Sequence, residues 1–234
     1  MQALVIIPTY NERENIEELI NRLLNLNSDI NVLVVDDNSP DGTGRLLDNI
    51  IKNQPRLSVI HRFDRRGRGL AGVTGFKHAI RHKADYVIEM DADFSHDPAY
   101  IPLLLEEIKD CDVVVGSRMV KGGRIVGRGF LRNALSKLSQ YFIRLILGLD
   151  VLDSTSGFRC FRRRCLESID WNKIISEGPS IIEEVAYYIK RKGFRFKEVP
   201  IVFKNRRRGR SKLNLSGALG VFFTLVRVKL FPYE

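Results

Sequence analysis

Apolar runs alternate with amphipathic segments along most of the chain. Near-continuous apolar runs, such as residues 3–8, 31–37 and 112–116, are typical of strands that are covered on both faces. Between such runs, apolar residues recur every three or four positions, which indicates helices with one buried face. Strands that alternate with helices at this spacing predict right-handed βαβ units. We therefore expect a single-domain α/β fold with a mostly parallel, Rossmann-like sheet flanked by helices.

The same pattern gives the approximate bounds of each element. The predicted strands are residues 3–8, 31–37, 57–61, 86–90, 112–116, 157–162 and 194–203. The predicted helices are one after Asn11, one that includes Leu46 and Ile51, and residues 70–80, 99–109, 130–146 and 181–191. The helix at 130–146 is long and amphipathic. The chain thus divides into a main domain over residues 1–212 and a short amphipathic appendage over residues 213–234.

The appendage leaves two interpretations open. Its uncharged run, residues 213–226, is shorter than the roughly 20 residues that a membrane span needs. One interpretation is a helix that lies in a membrane interface or docks on a partner. The other is a terminal helix that packs on the core.

Composition narrows the class of protein. With 44% hydrophobic and 28% charged residues, the chain is globular. Its three cysteines lack metal-ligand spacing and are odd in number, so we do not expect a disulfide framework. A cytoplasmic, reducing setting is expected instead. No signal peptide is recognisable at the N-terminus. The net charge of +10 predicts an anionic partner: nucleic acid, an acidic membrane surface or a phosphorylated substrate.

Two carboxylates follow the predicted strand 86–90 directly. Asp91 and Asp93 would lie at its carboxyl end, where open α/β sheets bind their ligands. In an extended segment, residues i and i+2 share a face, so both could bind one cation, and Mg²⁺ or Mn²⁺ suits such oxygen ligands. The alternative is that the pair only ends the strand and caps the helix that Pro98 begins.

Other basic residues and the histidines can likewise be interpreted either as part of a functional site or as ordinary surface residues. Basic residues cluster at 62–68, 118–132, 159–164 and 204–212, and the last cluster is either a phosphate site or a solvated face. None of the histidines has a recognisable partner for a catalytic triad, so we expect them to be solvated or to cap helices: His61, His78, His82 and His96.

Six short motifs occur together and in order: PTYNERENI (8–16), VVDDNSPDGT (34–43), DADFSH (91–96), GSR (116–118), SGFR (156–159) and RRRGRSK (206–212). With these motifs, residues 3 to about 212 resemble the dolichyl-phosphate (polyprenyl-phosphate) mannose synthases, which are glycosyltransferases of the GT-A fold. The resemblance implies transfer of mannose from GDP-mannose to a polyprenyl or dolichyl phosphate, with inversion at the sugar carbon.

The resemblance also implies residue roles. The matching donor-binding positions are Pro8, Tyr10, Glu12, Val35, Asp37, Asp91, Ala92, Asp93, Arg206 and Lys212. The matching acceptor-phosphate positions are Arg118, Arg132 and Ser136. The matching metal ligands are Asp91, Asp93 and Ser95, where Ser95 replaces the Gln of some relatives. Asp91, Asp93 and Arg118 are the expected catalytic residues. Ile181 and Ile182 depart from the aromatic residue and Gln that precede the position of Glu184 in many relatives.

Two rival functions remain at this point. A polyprenyl-phosphate glucosyltransferase that uses UDP-glucose would share these motifs. A basic nucleic-acid-binding module is the second rival, but the arginines are not interleaved with stacking aromatic residues, so we expect no nucleic-acid partner. The lipid acceptor implies a peripheral protein on the cytoplasmic face of a membrane, with a small membrane-anchor subunit as a candidate partner.

Overall fold

A seven-stranded sheet with helices on both faces forms the body of the protein. The computed structural model describes residues 2–127, 129–204 and 215–233, without the side chains of residues 130–132 and 215–219. The strands are β1 (Ala3–Thr9), β2 (Ile30–Asp36), β3 (Leu57–His61), β4 (Tyr86–Glu89), β5 (Val113–Ser117), β6 (Arg124–Val126), β7 (Arg159–Arg162), β8 (Phe196–Pro200) and β9 (Val202–Lys204). The helices are α1 (Ile16–Leu24), α2 (Thr43–Ile50), α3 (Arg68–Arg81), α4 (Ile101–Glu107), α5 (Phe130–Leu147), α6 (Arg163–Glu167), α7 (Ile181–Arg191) and α8 (Leu215–Leu230).

The strand order in the main sheet is β3-β2-β1-β4-β7-β5-β8. Strands β1 to β4 run parallel to one another, and β5 runs parallel to β8. Strand β7 is antiparallel to both of its neighbours, β4 and β5. The predicted mostly parallel, Rossmann-like sheet is therefore confirmed, with one reversed strand that the apolar pattern did not predict.

Alternation along β1 shows how the sheet is covered. Leu4 and Ile6 point into the core that α3, α5, α6, α7 and α8 complete, whereas Val5 and Ile7 point into the core that α1, α2 and α4 complete. All four side chains are buried. Because both faces of the strand are apolar, the sheet forms the middle of three layers in one domain, as expected.

Several bounds differ from the predicted ones. Strand β4 ends at Glu89, so the Asp91 to Asp93 segment lies in a bend rather than in the strand. The predicted strand over residues 194–203 is two strands, β8 and β9, and β9 pairs in parallel with the exposed β6. No strand was predicted at β6, because its short sequence carries no apolar run.

The C-terminal helix α8 has two different faces. Leu225 and Val228 are buried in the core beside α5 and α7, whereas Phe222 and Phe223 are exposed. The predicted domain boundary between residues 212 and 213 lies outside the described residues. Of the helices in the described ranges, none combines the length and the apolar character needed to cross a membrane.

Candidate active site

The carboxyl ends of three parallel strands meet at one edge of the sheet. In the pairing of β1 with β2, Pro8 lies opposite Val35 and Thr9 opposite Asp36. In the pairing of β1 with β4, Ile6 lies opposite Glu89. The segments that follow these strands therefore leave the sheet side by side. They contain most of the predicted donor-binding positions: Tyr10, Glu12, Asp37, Asp91, Ala92 and Asp93.

The Asp91 to Asp93 segment is a tight bend with unequal exposure of its two carboxylates. The Asp91 side chain is 35% exposed, whereas Asp93 is buried at 3%. Asp93 Oδ1 accepts a hydrogen bond of 3.0 Å from the backbone N–H of Ser95, and Phe94 has a positive φ of 59°. The expectation that the pair shares one face of an extended segment is therefore wrong. The bend, not strand alternation, sets the positions of the two carboxylates.

The donor set of this bend fits a hard divalent cation that is shared with a substrate. Asp91 and Asp93 supply carboxylate oxygens, and Ser95 is buried beside them. No group of three or more His, Cys, Asp or Glu side chains that could hold a metal occurs among the described residues. Because Mg²⁺ and Mn²⁺ are usually held by one or two carboxylates together with substrate phosphates, two carboxylates are sufficient.

His96 forms a hydrogen bond to the backbone of the Asp91 to Asp93 bend. Its Nδ1 accepts a hydrogen bond of 3.2 Å from the backbone N–H of Asp91, so the neutral ring carries its proton on Nε2. The ring stacks on Phe158 with a centroid distance of 5.2 Å and meets Phe203 edge-on. Burial lowers the pKa of His96, although the charges of Asp91 and Asp93 oppose that shift. The expectation that His96 is solvated or caps a helix is wrong, because its polar role is inside the site.

The other histidines differ from one another. His82 is the C-cap residue of α3 and is exposed, which agrees with the expectation that each histidine is solvated or caps a helix. His61 lies between two carboxylates, with Nε2 3.0 Å from Asp48 and Nδ1 3.5 Å from Asp36.

Arg68 connects the metal-site bend to a buried carboxylate. Its Nη1 donates to Glu89 Oε1 and its Nη2 donates to Asp91 Oδ1, both at 3.0 Å. Burial alone would lower the pKa of Arg68, but the charges of Glu89 and Asp91 outweigh burial and raise it. Burial also raises the pKa of Glu89, and the charge of Arg68 opposes that rise. Sequence reasoning missed Glu89 and included Arg68 only as a member of the basic cluster at residues 62–68. The signal for Glu89 was an acid inside the apolar run of β4.

Asp37 fixes the loop that leads to Arg68. Its Oδ2 accepts a hydrogen bond of 2.7 Å from the backbone N–H of Gly67, and its Oδ1 contacts Arg62. Gly69, in the first turn of α3, donates its N–H to the carbonyl of Glu177 at 2.9 Å. A Cβ on Gly69 would lie 2.6 Å from the carbonyl oxygen of Ser176, so a side chain cannot be accommodated there. The predicted donor residue Asp37 therefore also positions the start of α3.

Glu184 anchors the segment that contacts this loop. Its carboxylate accepts hydrogen bonds from the backbone N–H groups of Ile175 at 3.0 Å and Ser176 at 2.8 Å. Its neighbour Glu183 is buried beside the charged cluster and has one oxygen, Oε2, with no hydrogen-bond partner in the described part of the chain. Burial raises the pKa of Glu183 to about 7, although Arg159 and Arg68 oppose the rise.

Arg159, the last residue of the SGFR motif, is fully buried. Its guanidinium donates to the backbone carbonyls of Ser156 at 2.8 Å, Ile182 at 3.0 Å and Ser154 at 2.6 Å. These bonds tie the loop before β7 to the start of α7. Burial lowers the pKa of Arg159, and the charge of Glu183 opposes that shift. Arg159 is therefore a structural cation behind the site.

Arg118 follows β5 and is bound by a buried carboxylate. Its Nε and Nη2 donate to the two oxygens of Asp153 at 2.7 and 2.6 Å, and Nη2 also donates to Thr155 Oγ1 at 2.7 Å. The guanidinium carbon lies 5.2 Å from the ring centroid of Phe203. Asp153 thus holds the predicted acceptor residue Arg118 in one orientation.

Helix α5 approaches the same carboxylate. With its amide oriented to satisfy both groups, Gln140 donates to Asp153 Oδ1 at 3.3 Å and to the carbonyl of Leu152 at 3.1 Å. Ser136 lies one helical turn before Gln140 on the same row of α5, and position 132 lies one turn earlier again. The side chain of Arg132 lies outside the described part of the structure. The predicted basic-loop residues Arg206 and Lys212 also lie outside the described residues.

The sequence of this chain is similar to those of known glycosyltransferases. Residues 4–170 match the family model described as Glycosyl transferase family 2. The chain is 40% identical over 214 residues to an undecaprenyl-phosphate mannosyltransferase of Micrococcus luteus, covering 92% of this chain and 88% of the relative. It is 38% identical over 224 residues to a polyprenol monophosphomannose synthase of Mycolicibacterium smegmatis, covering 95% of this chain and 84% of the relative.

Solved structures support the same fold. Glucosyl-3-phosphoglycerate synthase of Mycobacterium tuberculosis, in complex with Mn²⁺, UDP and phosphoglyceric acid, aligns with a TM-score of 0.75 at 19% identity over 100% of this chain and 80% of that one. A mannosyltransferase of Pyrobaculum calidifontis, in complex with GDP-Man and Mn²⁺, aligns with a TM-score of 0.61 at 20% identity over 90% of this chain and 58% of that one. At these identities, the likeness is evidence for the fold alone.

Proposed function

We propose that this chain, which belongs to glycosyl transferase family 2, transfers mannose from GDP-mannose to a polyprenyl phosphate such as dolichyl phosphate, with inversion at the sugar carbon. The observation that carries the proposal is the likeness to two polyprenyl-phosphate mannosyltransferases, which extends over 92% and 95% of the chain. Those stretches of the chain include both the sheet edge that carries Asp91 and the part of α5 that approaches Arg118.

The chemistry of the reaction suits the groups at this edge. A lipid phosphate is already ionised near neutral pH, so the nucleophile needs no side-chain base. The difficulty lies in the departure of the nucleoside diphosphate, whose developing charge must be stabilised by fixed positive groups. When bound at Asp91 and Asp93, with Ser95 beside them, Mg²⁺ or Mn²⁺ supplies part of that charge.

The donor would lie across the ends of β1, β2 and β4. Pro8, Tyr10, Glu12, Val35 and Asp37 are the proposed nucleoside-binding positions, and the backbone of Ala92 is the proposed contact with the donor at the bend. Arg66 lies over the ring of Tyr10, with 5.1 Å from the guanidinium carbon to the ring centroid. Arg206 and Lys212 are the proposed diphosphate ligands from the basic loop.

The acceptor phosphate would bind at Arg118, Arg132 and Ser136. Support comes from α5, because Gln140 reaches Asp153, the carboxylate that orients Arg118. The row of α5 that contains position 132, Ser136 and Gln140 therefore runs toward Arg118. An arginine held by a carboxylate keeps its orientation for a phosphate, and Lys at that position could not form the same pair of parallel hydrogen bonds.

A membrane surface is the proposed setting, since an isoprenoid tail leaves a bilayer only at a cost of about 0.8 kcal/mol per CH₂. Helices α5 and α8 pack on each other and expose large apolar side chains. These are Leu135, Leu138, Tyr141, Phe142 and Leu145 on α5, and Phe222, Phe223 and Leu230 on α8. With the net charge of +10, this apolar face suits peripheral binding to the cytoplasmic face of an anionic membrane. A small membrane-anchor subunit would be a further partner.

Calorimetric titration of three donors in the presence of Mn²⁺ tests the proposal. GDP-mannose should bind more tightly than UDP-glucose or UDP-N-acetylglucosamine, and excess EDTA should abolish that preference. Asp91→Asn and Asp93→Asn should weaken GDP-mannose binding strongly, whereas Asp29→Asn, at an exposed position away from the edge, should not. Tighter binding of UDP-glucose would favour the glucosyltransferase alternative instead. Undiminished GDP-mannose binding in EDTA would refute the metal assignment.

A further inference from the structure

Arg68 contacts the proposed metal site directly, through a hydrogen bond to Asp91. Its guanidinium joins two carboxylates, Glu89 and Asp91, through hydrogen bonds of 3.0 Å each. The Arg68 side chain is 21% exposed, compared with 2% for Glu89. The cluster is therefore covered on the Glu89 side and open on the side of Asp91, which is also the side that a metal and a nucleotide would approach.

The surrounding backbone makes room for this cluster. A Cβ on Gly157 would lie 2.9 Å from Arg68 Nη2, and a Cβ on Gly72 would lie 3.3 Å from Glu89 Oε1. Arg68 is also the first residue of α3, where the positive end of the helix dipole disfavours a cation. The two carboxylates offset that cost, because each accepts a charge-assisted hydrogen bond of 3.0 Å from the guanidinium. The arginine is thus held at this place by the carboxylates and not by the helix.

We propose that Arg68 is an internal counter-ion for Asp91, which makes the site bind a free divalent cation weakly and the cation together with a nucleoside diphosphate tightly. The inference rests on the proposed function, because it takes Asp91 as a metal ligand. A guanidinium hydrogen-bonded to Asp91 Oδ1 and a divalent cation are attracted by the same carboxylate and repel each other. A diphosphate removes this conflict, since its oxygens give the guanidinium an anionic partner of the kind that arginine binds best.

The consequence is positive coupling between metal and nucleotide. Coupling is reciprocal, so the nucleotide must raise the affinity for the metal by the same factor as the metal raises the affinity for the nucleotide. Glu89 limits the competition because it shares the charge of Arg68. Loss of Glu89 should therefore strengthen the pairing of the guanidinium with Asp91. Loss of Arg68 should leave the metal without a competitor for Asp91. The two changes are expected to move the affinity for free metal in opposite directions.

The test is the dissociation constant of Mn²⁺ for the full chain, measured by electron paramagnetic resonance with and without GDP. Arg68→Met should bind free Mn²⁺ at least tenfold more tightly than the wild type and lose most of the tightening that GDP causes. Glu89→Gln should bind free Mn²⁺ more weakly than the wild type. Arg65→Met is the matched control: it removes the same charge three residues before Arg68, in the loop that leads into α3, but Arg65 is exposed and pairs with Glu177 at 2.7 Å. Its Mn²⁺ affinity should match that of the wild type.

A second variant guards against misfolding of Arg68→Met, which leaves Glu89 buried without its partner. The double change Arg68→Met with Glu89→Gln removes both charges and should also bind free Mn²⁺ more tightly than the wild type. Free Mn²⁺ affinity that is unchanged or lower in both variants would overturn the inference, provided that the wild type binds Mn²⁺ with GDP. Absence of any Mn²⁺ binding by the wild type with GDP would instead refute the proposed metal site itself.

Discussion

Replacement of Glu183 by Gln should stabilise the protein at alkaline pH. Glu183 is 4% exposed, and its Oε2 has no hydrogen-bond partner among the residues that the structure describes. Burial raises its pKa from 4.5 to about 7, against the opposing charges of Arg159, Arg68 and Arg118. At about 1.4 kcal/mol per pKa unit, ionisation of this carboxyl in the folded state costs about 3 kcal/mol.

The sign follows from proton binding. Between pH 4.5 and about 7 the folded protein binds more protons at Glu183 than the unfolded chain does, so the stability contributed by this group falls as the pH rises. Above about pH 7 both states are ionised and the loss is complete. Glutamine keeps the shape of the protonated acid but cannot ionise. The free energy of unfolding of Glu183→Gln should therefore exceed that of the wild type by about 3 kcal/mol at pH 8 and by little at pH 4.5.

Urea unfolding of Glu183→Gln and the wild type at pH 5, 6.5 and 8 measures the difference in their unfolding free energies. Because the other titratable groups are the same in both proteins, their contributions cancel when one free energy is subtracted from the other. Glu184→Gln provides the control on the neighbouring residue. Its carboxylate accepts two backbone hydrogen bonds, so an amide N–H₂ in place of one oxygen should destabilise the protein. If the difference in unfolding free energy between Glu183→Gln and the wild type is the same at pH 5 and pH 8, burial does not raise the pKa of Glu183.

Three further outcomes are expected. Gly69→Ala should lower the free energy of unfolding by about 1–3 kcal/mol, because its Cβ would lie 2.6 Å from a carbonyl oxygen. Gly178→Ala, whose Cβ would meet no atom within 4 Å, should be nearly neutral. Equal effects of the two changes in thermal unfolding would refute the close approach at Gly69. Arg118→Ala should raise the KM for the lipid phosphate at least tenfold and change GDP-mannose affinity in calorimetry by less than threefold; equal losses would place Arg118 at the donor. Changing Phe222 and Phe223 together to Ser should reduce sedimentation with anionic liposomes even in high salt, because apolar insertion is not screened by ions. Unchanged sedimentation would exclude these two side chains of α8 as the membrane contact.

Helices and strands were predictable where their apolar side chains follow a clear pattern along the chain. The buried runs of β1 and β2 identified strands within one or two residues, and the spacing of apolar residues identified α7 at the bounds observed. The direction of β7 was not predictable, because the side-chain pattern of a four-residue strand is the same whether the strand runs parallel or antiparallel to its neighbours. Strand β6 has exposed side chains, and its pairing with β9 leaves no apolar signal.

At the candidate site, short motifs identified positions but not partners. The pattern around Asp91 predicted carboxylates at a sheet edge, and the structure places them there in a bend whose geometry depends on His96. Sequence could not show that Arg68 bonds both Glu89 and Asp91, because these residues lie 21 and 23 positions apart and meet only through the sheet. The interior partner of Arg118, Asp153, was missed for the same reason. Polar networks of this kind depend on tertiary contacts and have no local periodicity.

The transfer reaction itself tests the central claim most directly. The full chain would be incubated with Mn²⁺, undecaprenyl phosphate in anionic liposomes and GDP-mannose labelled in the sugar, and the organic extract would be analysed for labelled lipid and for the configuration at the sugar carbon. We expect a mannosyl phospholipid with β configuration, formed only when Mn²⁺ or Mg²⁺ is present. No labelled lipid from GDP-mannose, with efficient formation of a glucosyl lipid from labelled UDP-glucose under the same conditions, would contradict it.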